Sequence, residues 1–145
     1  MKVVLQRVDY AKCTVDGTVT GAIDKGYMLL VGFTHGDNEE KIKKAAKKIS
    51  GLRIFEDENH KMNLNIDAVK GSILSISQFT LYANTNEGNR PAFVDAMEPV
   101  RAKELYFKFN EELRTYGLIV EEGIFGAHMD IELLNSGPVT IIYEF

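Results

Sequence analysis

The chain has 145 residues, 45% of them hydrophobic and 26% charged, with a formal net charge of −4. This composition is typical of a soluble globular domain that can bury a core without disulfides, and the acidic balance argues against a protein that coats the phosphates of a duplex. No apolar run approaches the roughly 20 residues needed to cross a bilayer, and Met1–Val8 lacks the apolar region of a signal peptide. We therefore expect one domain over residues 1–145, located in the cytoplasm, with no membrane partner.

The first part of the chain predicts three strands. The apolar pattern of residues 2–15 indicates a long or bent first strand, with Cys13 facing the core as a small buried hydrophobe. Asp16-Gly17 is a strong hairpin signal and predicts a second strand directly after it. The almost wholly apolar segment YMLLVGF, after Gly26, predicts a central strand that its neighbours cover on both faces.

Two helices are predicted outside the strands. Asp37 is a candidate N-cap for the first, with Glu40 as its capping-box partner and Gly51 at its end. Five lysines surround its apolar stripe, and we interpret them as a solvated helix face, with a basic patch as the alternative. The second helix begins near Pro99 and is predicted to continue to Gly117, because apolar residues recur at steps of three or four.

The stretch Ser72–Leu81 predicts a strand whose hydrophobic pattern changes face near Ser77. A β-bulge, or a strand that crosses between two packed surfaces, would produce such a change. On either interpretation Ser77, Gln78 and Thr80 lie inside. An unpaired buried polar group costs roughly 1 to 3 kcal/mol, so each must bond to backbone, to water or to a ligand.

The last part of the chain predicts further strands, with a turn at Asn135–Pro138 before the final one. The Gly137-Pro138 bond can be cis at a cost of about 0.5 to 1 kcal/mol, so this segment is either a plain hairpin turn or a rigid edge that acts as a steric gauge. His128, Asp130 and Glu132 share one strand face, which we interpret as the solvent side. No metal site is predicted.

The common signatures of catalysis are absent from the sequence, which has no nucleophile elbow, P-loop, dinucleotide-binding fingerprint or zinc-protease motif. The three histidines, His35, His60 and His128, stand far apart in the chain. A hydrolase built on this sequence would therefore rely on backbone groups and on its substrate more than on an acid–base pair of side chains. No cofactor is predicted.

The segments SQFTL at 77–81 and NSGPVT at 135–140 resemble the two signature motifs of the D-aminoacyl-tRNA deacylase family. The resemblance extends along the whole chain through shorter segments: QRV (6–8), VDG (15–17), THGD (34–37), LRIFED (52–57), KMN (61–63), RPAF (90–93) and FGAHM (125–129). It implies an α+β homodimer whose mostly antiparallel sheets form a barrel-like core with two main helices packed outside. It also implies hydrolysis of the ester between a D-amino acid and the 3′-terminal ribose at the acceptor end of tRNA.

The resemblance places the chemistry at the SQFTL segment. Phe79 and Thr80 are implied as catalytic residues, mainly through backbone amides that position the ester carbonyl. The remaining residues implied for substrate binding here are Ser77, Gln78 and Met129. The 2′-hydroxyl beside the ester is implied to help activate water, and this RNA-assisted route is favoured over attack by the Thr80 hydroxyl, since no base for Thr80 is evident.

The second motif is implied to set the handedness of the substrate. Gly137 and Pro138, joined by a cis peptide, would reach from one subunit into the pocket of the other and occupy the space that an L side chain needs. Arg7 is implied to brace this loop, a role compatible with that of a paired structural arginine. Exclusion of this kind leaves glycine able to enter, so glycyl-tRNA is implied as a further substrate.

Two other classes of function stay open from the sequence. One is a non-catalytic module that binds tRNA or DNA on the same fold. The other is a conventional serine or threonine hydrolase that forms a covalent intermediate at Ser77 or Thr80 and does not need the 2′-hydroxyl of its substrate.

Overall fold

The computed structural model describes residues 1–145 throughout and contains a six-stranded sheet, a two-stranded sheet and two helices. The elements in chain order are β1 (Lys2–Val15), β2 (Thr18–Ile23), β3 (Gly26–Gly32), α1 (Glu39–Ser50), β4 (Phe55–Glu56), β5 (Met62–Leu64), β6 (Ser72–Ser77), α2 (Pro99–Arg114), β7 (Val120–Glu122) and β8 (Asp130–Glu144). A short 3-10 helix over Phe79–Tyr82 follows β6. Neither α1 nor α2 has the length and apolar character that crossing a membrane requires.

The large sheet is organised around β1, with the strand order β2-β1-β3-β6-β7 and with β8 also paired to β1. The first half of β1 pairs with β3 and its second half with β2, so the sheet curves into a barrel-like shape. The pairs that β1 makes are all antiparallel, whereas β3–β6 and β6–β7 are parallel. The predicted α+β class, with mostly antiparallel pairing and two helices outside, is confirmed.

Several local predictions in the first part of the chain are also confirmed. Asp16 and Gly17 have φ values of 48° and 78°, the left-handed pair that a type I′ hairpin turn requires. Cys13 is buried, and β3 lies between β1 and β6 with most of its side chains covered. The larger core cluster packs α1 and α2 against one face of β1 and β3. The α1 residues in it are those at helical spacing: Ile42, Ala45, Ala46 and Ile49.

The predicted N-cap of α1 is wrong by one residue. Asn38 is the cap, and its Oδ1 accepts the Lys41 N–H at 3.1 Å. Asp37 is buried, because its carboxylate accepts hydrogen bonds from the Thr34 N–H at 2.8 Å, the Met1 ammonium at 2.8 Å and Lys41 Nζ at 2.9 Å. The Asp37 carboxylate is directed towards these three donors, and Asn38 caps the helix in its place.

The predicted ends of two other elements need correction. Helix α2 begins at Pro99 as expected but ends at Arg114, and Gly117 lies in the turn that follows, with φ of 79°. Strand β6 ends at Ser77, where the chain enters the 3-10 helix, so the change of hydrophobic face marks the end of the strand and not a bulge. As a result Thr80 is exposed and not inside the core.

The predicted turn at Asn135–Pro138 is a bulge within one long strand. Both halves of β8 pair with β1, with Val8 opposite Asn135 and Gln6 opposite Thr140. Residues 136–139 therefore stand opposite Arg7 alone. Gly, Pro, Asn and Ser serve equally in turns and in bulges, so composition could not distinguish the two. We call residues 136–139 the Gly-Pro bulge.

Candidate active site

A cavity of about 250 Å³ lies where the parallel strands β3 and β6 end, and it is closed by the start of α2 and by the segment before β8. Ten of its fifteen lining residues are hydrophobic, which suits an organic ligand held by a few polar groups. The lining residues are Val31, Gly32, Phe33, Ile76, Ser77, Gln78, Phe79, Met97, Ala102, Phe125, Gly126, Ala127, His128, Met129 and Ile131.

The structure brings four of the predicted site residues to this cavity: Ser77, Gln78, Phe79 and Met129. Thr80 follows directly, and its Oγ1 accepts a hydrogen bond of 2.5 Å from Gln78 Nε2. An amide cannot take a proton from a hydroxyl, so this contact orients Thr80 without activating it. The arrangement offers no support for Thr80 as a nucleophile.

The backbone at the rim of the cavity is positioned by the end of β6. The Gln78 N–H donates to the Val31 carbonyl at 2.8 Å, which ties the segment to β3. The 3-10 helix starts at Phe79 with no side-chain cap. The first amides of such a helix, those of Phe79 and Thr80, have no carbonyl partner within it and can donate to a ligand.

A buried tyrosine holds β6 from the helix side. The Tyr106 hydroxyl donates to the Ser75 carbonyl at 2.7 Å. Burial, against the opposing effect of its hydrogen bonds, raises the pKa of Tyr106 to about 12, so the ring stays a neutral donor. Two residues beyond Ser75 the strand reaches the cavity at Ser77. Tyr106 thereby fixes the strand that carries the site.

Arg7 joins the Gly-Pro bulge to the rest of the chain. This arginine is only 8% exposed, and it donates from Nε to the Ser136 carbonyl at 3.2 Å and from one terminal nitrogen to the Ile54 carbonyl at 2.5 Å. Asn135 Nδ2 donates to the carbonyls of Arg7 and Val139, at 3.0 and 2.9 Å, and so closes the base of the bulge.

Gly137 and Pro138 form the exposed tip of the bulge, and the peptide bond between them is cis. Gly137 has φ of 122°, a conformation that favours glycine, and a Cβ there would lie 2.8 Å from a terminal nitrogen of Arg7. The tip therefore presents the bare backbone of Gly137 and the ring of Pro138 to whatever lies against it.

The bulge and the cavity do not meet within one chain. Ser77 pairs with Val31, and Val31 with Val3, whereas the bulge lies opposite Arg7. The four residue steps along β1 from Val3 to Arg7 span about 13 Å, and β3 lies between β1 and β6. Neither Gly137 nor Pro138 lines the cavity.

An apolar row, exposed at one end, leads across the sheet into the cavity. Ile142, Val4, Leu30 and Ile76 are paired in succession on adjacent strands. They lie on the face opposite the helices, since Val3 and Leu5 point into the helix-side core. Ile142 is 68% exposed, Val4 and Leu30 are half-buried, and Ile76 is buried and lines the cavity.

Sequence reasoning did not find the apolar walls of the cavity. Val31, Phe33 and Met97 come from the ends of elements and look like ordinary core residues in the sequence.

The side chains of His128, Asp130 and Glu132 are exposed, as predicted for a solvent face, although His128 also borders the cavity. No grouping of three or more His, Cys, Asp or Glu side chains has a geometry that could hold a metal ion.

Residues 4–144 match the family model described as D-Tyr-tRNA(Tyr) deacylase. The chain therefore belongs to this family, whose members are deacylases and hence hydrolytic enzymes. The D-aminoacyl-tRNA deacylase of Exiguobacterium sp. is 58% identical over 99% of this chain and 98% of that protein. The D-aminoacyl-tRNA deacylase of Fusobacterium nucleatum is 54% identical over 99% of this chain and 95% of that protein.

Solved structures share the fold. One of a protein named c-Myc DNA Unwinding Element Binding Protein superposes with a TM-score of 0.92 and 38% identity, over 100% of this chain and 99% of that one. Another, described as a probable eukaryotic D-amino acid tRNA deacylase, gives a TM-score of 0.85 over 98% of this chain and 97% of that one. At 17% identity this second similarity shows the fold alone.

Proposed function

We propose that the protein is a cytoplasmic D-aminoacyl-tRNA deacylase, a carboxylic ester hydrolase that releases free tRNA and the D-amino acid. The observation that carries the proposal is the apolar cavity bordered by the SQFTL segment, in a chain that matches the deacylase family over residues 4–144. The cavity volume of about 250 Å³ suits an aminoacyl group and part of the terminal nucleoside.

The active form is a homodimer in which each cavity draws on both chains. The separation of the bulge from the cavity of its own chain supports this. A bulge that excludes L substrates must then contact the substrate bound in the cavity of a second subunit. The apolar row from the exposed Ile142 to the buried Ile76 supports it too, because a second sheet packed on that face would cover the exposed apolar area and form a wall of the cavity. Strand β8 is paired only on its β1 side.

Selection between D- and L-aminoacyl esters follows from the groups at the tip of the bulge. When the tip enters the partner's cavity, the backbone of Gly137 and Pro138 occupies the volume on one side of the substrate α-carbon. An L side chain collides with it, whereas a D side chain points elsewhere and glycine has nothing to exclude. Glycyl-tRNA formed on a non-cognate tRNA is therefore a second substrate.

Hydrolysis is assisted by the RNA itself. The 2′-hydroxyl beside the ester orients a water molecule, whose oxygen attacks the ester carbonyl while the amides near Phe79 and Thr80 stabilise the developing oxyanion. The bond from the carbonyl carbon to the ribose 3′-oxygen breaks, and the proton lost by the water passes to that oxygen. Because the ester, the water molecule and the 2′-hydroxyl are confined in one cavity, their effective concentration is high and the reaction is faster. The exposed, amide-bonded Thr80 hydroxyl fits this route better than a covalent one.

A non-catalytic nucleic-acid-binding module is the second candidate. It is favoured by the structural neighbour at 38% identity, whose name describes a DNA-binding protein. That protein shares the fold, so the fold does not decide between binding and hydrolysis.

The deciding experiment is a deacylation assay with D-aminoacyl, L-aminoacyl and glycyl esters on one tRNA. A deacylase cleaves the D and glycyl esters and spares the L ester, whereas a binding module retains tRNA with all three esters intact. A substrate whose terminal ribose lacks the 2′-hydroxyl tests the route: it is cleaved slowly if the RNA assists, and at the normal rate by a serine or threonine hydrolase.

A further inference from the structure

A second and larger depression lies between the end of α1 and the last residues of β8. It is open to solvent, has a volume of about 660 Å³, and combines cations at its rim with a half-buried aromatic pair. We call it the basic groove; its cations are Lys44, Lys47, Lys48 and Arg53, and its aromatic residues are Tyr143 and Phe145. The two rings stack at 5.5 Å with an angle of 20° between their planes.

The lysines of the basic groove have no acidic partner. Lys44, Lys47 and Lys48 form no ion pair within 4.0 Å, although α1 also carries Lys41, which is paired with Asp37. The one carboxylate side chain that borders the groove, that of Glu144, lies 3.4 Å from Lys2 Nζ. A chain with a net charge of −4 thus leaves three neighbouring cations unpaired on one surface.

Helix electrostatics account for only part of this cluster. Cations in the last turn of a helix gain about 0.3–1 kcal/mol from its dipole, which suits Lys47 and Lys48. Lys44 lies earlier in α1, and Arg53 lies beyond its end. The other flank of α1 is different, since the depression that contains Lys43 and Lys108 also contains Glu39, Glu111 and Glu112. Positive charge is therefore concentrated on one side of the helix.

Only one end of the basic groove, at Arg53, is linked to the Gly-Pro bulge, because Tyr143 and Glu144 at its other end pair with Val3 and Lys2. Arg53 precedes Ile54, whose carbonyl accepts a hydrogen bond from Arg7, and Arg7 in turn donates to Ser136 at the start of the bulge. A bulge inserted into a partner's cavity would thus carry Arg53, at the near end of the groove, towards the mouth of that cavity. The phosphates of a tRNA whose 3′ end occupies the cavity would then lie near this surface.

We infer that the basic groove binds phosphates of the tRNA acceptor arm, and that the groove of one subunit serves the cavity of the other. This inference rests on the proposed function for the identity of the RNA. Lysines supply point charges that position an RNA backbone without reading its sequence, which suits an enzyme that acts on many tRNAs.

The test compares two variants that remove the same charge from the two flanks of α1. Lys44→Ala/Lys48→Ala alters the basic groove, and Lys43→Ala/Lys108→Ala alters the opposite flank. Each phosphate contact contributes about 0.7–0.9 to the slope of log affinity against log salt, so two contacts give about a nine-fold larger loss of kcat/KM at 50 mM than at 200 mM salt. We expect this loss for the groove variant only, and only with whole D-aminoacyl-tRNA. Hydrolysis of a D-aminoacyl ester of adenosine should be unchanged.

An equal salt dependence in the two variants, or an equal loss on the adenosine ester, would overturn the inference. Fluorescence anisotropy with uncharged tRNA measures the same contacts without hydrolysis. If the wild-type protein cleaves no D-aminoacyl-tRNA but the groove variant alone loses salt-dependent tRNA binding, the proposed function fails and the groove assignment stands.

Mixed dimers test whether the groove acts across subunits. One subunit carries Ala127→Trp to fill its own cavity, and Lys44→Ala/Lys48→Ala is placed either on that subunit or on the other. Activity should fall when the groove change is on the blocked subunit, whose groove serves the open cavity. A fall only when it is on the open subunit would show that the groove serves its own cavity.

Discussion

Arg7 donates a hydrogen bond of 3.2 Å from Nε to the carbonyl of Ser136, directly before the exposed Gly137. The same buried guanidinium binds the carbonyl of Ile54 from a terminal nitrogen. One side chain thus fixes the tip of the bulge to two separate parts of the chain, and a planar fork with several donors is what this requires.

The first prediction concerns the guanidinium group of Arg7. Arg7→Lys keeps the charge, but a single ammonium cannot reach both carbonyls in the same geometry, so one is left unpaired. We expect the free energy of unfolding to fall by about 1–3 kcal/mol and the preference for D over L esters to decrease. Urea unfolding and the ratio of kcat/KM for the two esters measure these effects. Unchanged stereoselectivity in the folded variant would argue that Arg7 is only structural.

Gly137→Ala tests the tip itself. The substitution places a Cβ against Arg7 and forces φ of 122° on an L residue, at a cost of about 1–3 kcal/mol. We expect the displaced tip to admit L-aminoacyl esters. Gly17→Ala is the matched control, since Gly17 also has positive φ but no atom within 4 Å of the added carbon. It should lose stability and keep its discrimination, and equal discrimination in both variants would contradict the role of the bulge.

Thr80→Ala tests the RNA-assisted route. The Thr80 hydroxyl hydrogen-bonds only to the Gln78 amide, so its removal should leave activity within about ten-fold of the wild type. Single-turnover deacylation at saturating enzyme gives the rate of the chemical step. A near-total loss in a variant that unfolds at the wild-type urea concentration would instead make the Thr80 hydroxyl part of the chemistry.

Ile142→Lys tests the dimer. A lysine at the exposed end of the apolar row would have to be desolvated when a second sheet packs there, so we expect monomers in analytical ultracentrifugation and a loss of activity. Val100 on α2 is 71% exposed, and Val100→Lys is therefore the control. Dimers that persist in Ile142→Lys would place the interface on another surface.

Asp37 predicts a loss of stability in acid. Burial alone would raise the pKa of its carboxyl, but hydrogen bonds from the Met1 ammonium, the Thr34 amide and Lys41 lower it below the usual 3.8. A depressed pKa in the folded state stabilises the protein above pH 3.8, and this contribution is lost as the pH falls through the lower value. Urea unfolding between about pH 6 and pH 2 should show this decline. Asp37→Asn should be less stable at pH 6, with a weaker decline.

Local chemistry in the sequence determined much of this fold. The hairpin at Asp16-Gly17 follows from residues that tolerate positive φ, and the buried faces of α1 and α2 follow from apolar spacing. These patterns depend on neighbours within a few residues, so one sequence suffices to see them. The two signature segments likewise indicated the family that residues 4–144 match, whereas the roles of the individual site residues stay predictions.

The tertiary structure decided what depends on distant partners. Only the fold shows that Asp37 binds the buried Met1 ammonium, that the strand from Ser72 ends at Ser77, and that Asn135–Pro138 bulges from a continuous strand. Only the fold separates Gly137 from the cavity that holds Ser77. In each case the deciding partner lies far away in the sequence: Met1 for Asp37, Val31 for the residue after Ser77, and strand β1 for the bulge. A local sequence pattern does not show which distant residues will hydrogen-bond to its polar groups.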